Sequence, residues 1–294
     1  MNTSTIGRPL CAVAFLGLVL STALQAEPAT GDPWAKVPAL STACYSADDP
    51  VDAKLAAADK AIRAEHAKQG AINNRLAAAQ RDADPIELAQ RMTQAMMNDP
   101  QNAQKYMAAM QSMGDTMPTE APEILEKENQ MQAESETLVK RYQEALKQAY
   151  GPGIARWGAL KIKLGIAADS PHPGEAGVPD WAWTEWDAIL REWDHAYVAT
   201  CAQWWGTGGQ VQAFMKRYKD WLVQERIPHY EAIDQQTAAT LAMTGTGVEE
   251  YRSEATFIGV EDYIKLGQSL WARLMAMPRC PGGKCDRNRA IFAE

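Results

Sequence analysis

Glu225 and His229 are the side chains whose type and spacing most suggest chemistry. They stand four residues apart and continue the helical stripe of Val211, Phe214, Tyr218, Trp221 and Leu222. A carboxylate and an imidazole on a core-facing stripe suit acid/base work or the start of a metal site. Pro228 lies between them, and an internal proline removes a helical hydrogen bond and crowds the carbonyl four residues back. If the helix breaks there, its phase resets and both side chains turn to solvent or satisfy freed carbonyls.

Other constellations are weaker. Glu192 and His195 form one Glu-x-x-His pair, whereas di-iron carboxylate bundles need two such pairs and two further glutamates. A helical wheel puts both on the polar side of their segment, as a solvated pair. Met107, Met110 and Met113 recur every three residues, with Met117 close behind. Thioethers in an oxidising compartment suit Cu(I), but the same spacing suits core packing equally well. Of the four histidines, His172 falls in a proline-rich loop and His66 in a helix rich in Ala, Lys and Gln. No HExxH helix, GxSxG elbow or Walker loop occurs. These observations lean away from an enzyme and imply no cofactor.

Six of the ten tryptophans fall between Pro179 and Trp205. At about 100° per residue, Trp183, Trp186, Ile189, Leu190, Trp193, Tyr197, Thr200, Cys201 and Trp204 share one face and read as core. Trp181 and Trp205 leave that stripe at the two ends of the helix. They are the aromatic candidates for a ligand or partner surface.

The elements that must position these residues are helical throughout. Residues 1–26 read as a signal peptide, with Arg8, an apolar run from Leu10 to Leu24, and cleavage after Ala26. The predicted location is therefore periplasmic or secreted, with no transmembrane span once the signal is removed. A net charge of −8 without a basic block makes nucleic acid a poor partner. In an exported chain, Cys44, Cys201, Cys280 and Cys285 suggest two disulfides. The short Pro-Gly-Gly-Lys spacer favours Cys280 with Cys285, leaving Cys44 with Cys201.

The fold class is all-α: a helical bundle with a long antiparallel helix pair in the first half and a Trp-rich three-helix second half. Residues 27–49 form an extended arm, 50–150 a helical hairpin with Met-rich short helices, and 151–179 an irregular linker opened by Gly151-Pro152-Gly153. Residues 180–277 form the Trp-rich bundle, and 278–294 a disulfide loop and tail. The long helix after Pro50 carries Leu55, Ala58, Ile62, Gln69 and Ile72 on a weakly apolar face. That face leaves surface for a protein partner or self-association of coiled-coil type. The function expected is non-catalytic binding of a partner protein or small ligand in a bacterial-type envelope. The alternative is a hydrolase or lyase acting on an envelope polymer, with Glu225 and His229 in a cleft between the helix carrying Trp183 to Trp204 and the helix carrying Phe214 to His229. Cu(I) binding by the methionines is a third reading.

Overall fold

Every regular segment among the described residues is helical, as the absence of alternating apolar patterns predicts. The computed structural model describes residues 31–40, 51–81, 121–174, 177–234 and 253–281, with single positions at 90, 93, 94 and 97; for 75–81 it describes backbone alone. These residues belong to one compact unit that begins at Gly31. Its helices are α1 (Val51–Arg81), α2 (Pro122–Leu164), α3 (Asp180–Trp205), α4 (Gln210–Trp221) and α5 (Ala255–Met275). None is long and apolar enough to cross a membrane.

The tryptophan stripe makes α3 the centre of one packed pair. All of its predicted face is buried except the partly buried Trp183. It lies antiparallel to α2: Trp157 meets Trp186 with ring centroids 4.5 Å apart, and Tyr142 meets Trp204 at 5.9 Å. Fully burying an aromatic side chain contributes about 1.5–3 kcal/mol, so this seam is a major stabilising surface.

That seam explains the main departure from the predicted boundaries. The helix does not stop at Tyr150; α2 runs through Gly151-Pro152-Gly153 to Leu164. Pro152 cannot donate to the carbonyl four residues back, a cost of about 3 kcal/mol in a helix interior. The flanking turns are held by Trp204 on one side and Trp186 on the other, and tertiary packing outweighs the local break. Termination occurs instead at Gly165, whose φ of 63° is left-handed and whose N–H reaches the Ile162 carbonyl.

The two long helices of the first half are not each other's main neighbours, as the predicted hairpin required. α2 packs along α3, and α1 packs along α5, also antiparallel. Leu55 of α1 lies beside Gly267, while His66 lies beside Phe257 at 6.4 Å. The physical reason is apolar supply. α5 has a broad buried face, with Val260, Tyr263, Ile264, Leu270 and Leu274, and sets Gly267 against Leu55 in the thin stripe of α1. The arm lies against this pair: Trp34, in a 3-10 turn at Pro33–Lys36, meets Tyr263 edge-on at 5.5 Å, and Lys36 pairs with Glu65.

Past Trp221 the chain widens into a π-helical turn, Leu222–Arg226, before α-helical geometry resumes from 227 to 234. The N–H of Ile227 reaches back five residues to the Leu222 carbonyl. Pro228 supplies the cause: it has no N–H for the Gln224 carbonyl, and the wider turn relieves the crowding there.

Candidate functional site

The stripe of α1 changes chemistry along its length. Val51, Leu55, Ala58 and Ile62 are buried apolar residues; at the following positions of the same face stand His66, Gln69 and Asn73. Antiparallel packing sets these against the start of α5, where Glu254 and Glu261 project. His66 Nε2 lies 2.6 Å from Glu254 Oε2, and His66 Nδ1 lies 2.9 Å from Glu261 Oε1. Asn73 Nδ2 donates to the second Glu254 oxygen at 3.1 Å, and Gln69 Nε2 donates to Asn73 Oδ1 at 3.3 Å. Gly70 gives Glu254 its room, because a Cβ there would stand 3.3 Å from Oε1. Lys265 Nζ approaches the other Glu261 oxygen at 3.4 Å.

A neutral imidazole has one N–H, so an imidazole between two ionised carboxylates is satisfied on both sides only as the imidazolium. Burial of the ring works against that charge. The hydrogen bonds that the ring donates to Glu261 and Glu254 outweigh burial and hold the His66 pKa above its ordinary value. Beside this cluster opens a groove of about 490 Å³, lined by Arg63, His66, Gly70, Asn74 and Glu261, with Ala67 and Ala71 adding small side chains. Among the described residues, no group of three or more His, Cys, Asp and Glu side chains is disposed to hold a metal ion.

The residues singled out by sequence lie elsewhere. Glu225 is exposed and His229 only half-buried. The extra residue of the π turn carries Arg226 and Ile227, not Glu225, inward. Arg226 Nη1 pairs with Asp262 at 2.5 Å, and its guanidinium lies 5.9 Å from the Trp221 ring and 5.6 Å from the Tyr230 ring. Trp205 is wholly buried against Trp271 at 5.0 Å, so it is core and offers no ligand surface; Trp181 is 51 % exposed. Glu192 pairs with Arg156 at 2.7 Å, and His195 is exposed, as a solvated pair would be. Cys201 and Cys280 are buried, while Cys44 and Cys285 lie outside the described residues, as do Met107, Met110, Met113 and Met117.

Sequence reasoning set His66 aside for its polar neighbours. The signal that would have found it is its phase: it lies four residues after Ile62 and three before Gln69, squarely on the core-facing stripe. Compared with known protein families, with curated proteins and with solved structures, the chain matches none.

Proposed function

We propose that this chain is an exported, non-catalytic binding protein of the cell envelope, whose partner protein or small ligand engages the groove between α1 and α5 beside His66. The observation that carries this reading is the groove itself, open at about 490 Å³ and edged by a fixed cluster of charges. Both nitrogens of His66 are taken by carboxylates, which favours recognition over proton transfer to a substrate. The hydrolase reading loses its support with the exposure of Glu225. Copper binding rests on Met107, Met110, Met113 and Met117 through their spacing alone.

Export and two disulfides belong to the same proposal. The complete burial of Cys201 and near-complete burial of Cys280 suit paired cysteines. Peptide mapping without reduction tests the pairing: Cys44 with Cys201 and Cys280 with Cys285 is expected, and any other linkage contradicts it. For the groove, a photo-crosslinking residue at Ala71 is compared in intact cells with one at the exposed Lys147 of α2. An adduct of discrete mass at position 71, absent at 147 and abolished by Ala67→Trp, is the expected result. Twice the chain mass would identify self-association, and equal labelling at both positions would remove the groove as the binding surface.

A further inference from the structure

Among the described residues, the hold of α1 on α5 is apolar from Val51 to Ile62 and polar from His66 to Asn74. From Val51 to Ile62 the helix is fastened by buried aliphatic side chains. From His66 to Asn74 the buried contact is Gln69, supplemented by the hydrogen bonds of His66 and Asn73 and by the Phe257 ring parallel to the imidazole. Ile72, the one large apolar side chain there, is half-buried. We infer that His66 is a proton-operated latch: its imidazolium ties the 66–74 stretch of α1 to α5, and loss of the proton frees that stretch while the 51–62 interface stays closed.

The charges around the ring support this. Glu254 and Glu261 face it from the α5 side, with Lys265 beside Glu261 and Asp262 3.9 Å from that lysine. On α1, Arg63 is engaged by Asp59 at 2.8 Å, and Glu65 is paired with Lys36 of the arm. Lys265 and Arg63 are cations that disfavour the proton, but neither hydrogen-bonds the ring; the two carboxylates do. After deprotonation one of those carboxylates faces a ring nitrogen that has no hydrogen to offer. Because the folded pKa is raised, the latch is complete below about pH 6.5, the ordinary histidine value, and weakens as pH rises through the folded value. The freed stretch carries Gly70, Ala71 and Asn74, so the latch would also set the width of the groove. The inference rests on the cluster alone and survives if no ligand occupies that groove.

Hydrogen exchange of the full chain at about pH 6 and about pH 8.5, corrected for intrinsic rates, tests it. Protection across 66–74 is expected to fall by about tenfold for each unit by which the pKa is raised, with 51–62 and α3 unchanged. His66→Gln is expected to show the weak level at both pH values. Equal protection at the two pH values, a fall shared by 51–62, or an undiminished fall in His66→Gln overturns the latch. If that variant does not fold, the wild-type ring titration followed by NMR decides. Coincidence of its midpoint with the exchange midpoint supports the latch, and separate midpoints overturn it.

Discussion

Gly153 and Gly158 lie on the same helix, α2, and show how far a residue's meaning depends on what faces it. A Cβ at Gly153 would stand 2.3 Å from the Trp193 indole nitrogen, whereas a Cβ at Gly158 meets nothing within 4 Å. Gly158→Ala is expected to raise stability by about 0.5–1 kcal/mol through helix propensity. Gly153→Ala gains the same propensity but displaces a large ring from a dense core, for a net loss of about 1–3 kcal/mol. Thermal or urea unfolding of the two variants checks the opposite signs; a stabilised Gly153→Ala would show that α2 and α3 do not approach so closely. In the sequence Gly153 reads as a helix stop, because nothing local announces the indole. His66 is the same lesson at a polar position. Its place on the stripe was legible, but its carboxylate partners come from nearly two hundred residues away.

At the scale of an element, the segment from Gln210 to Asp234 turns on one proline. Its apolar stripe from Val211 to Leu222 is buried as the periodicity predicts. Pro228 signalled a disturbance, and the π turn is that disturbance. Its direction was not legible, because one extra residue rotates all that follows by about 100° and packing decides whether the chain accepts it. The exchange of Glu225 for Arg226 at the core edge makes a clear prediction. Arg226→Ala leaves Asp262 without its closest partner and strips a cation from between Trp221 and Tyr230, at a cost of about 2 kcal/mol. Glu225→Ala is expected to change stability by no more than about 0.5 kcal/mol, as at an ordinary surface site. Urea midpoints separate the two, and a large loss in Glu225→Ala would restore that residue to the core face.

For the molecule as a whole, the buried tyrosines govern behaviour in alkali. Burial pushes Tyr218 and Tyr263 up to about 12, and raises Tyr142 and Tyr150 further. In the unfolded chain these groups ionise near pH 10. Above that pH the unfolded state gives up protons that the folded state keeps, so stability falls as pH rises toward the folded values. The tyrosinate absorbance of these four residues is expected to appear together with loss of helical circular dichroism. Ionisation of all nine tyrosines with the helices intact would contradict the burial.

What the sequence determined by itself is the helical class, the tryptophan face of α3, the apolar face of α4, and the polar side that holds Glu192 and His195. Each is a one-dimensional period, and a period survives whatever the helix packs against. The partner of each helix was decided only in the tertiary structure. α1 takes α5 because α5 has apolar surface to spare, and α2 runs past its proline because α3 holds both of its flanks. The candidate site belongs to that second kind of information. Its histidine and its two carboxylates become a cluster only when α1 and the start of α5 are laid side by side.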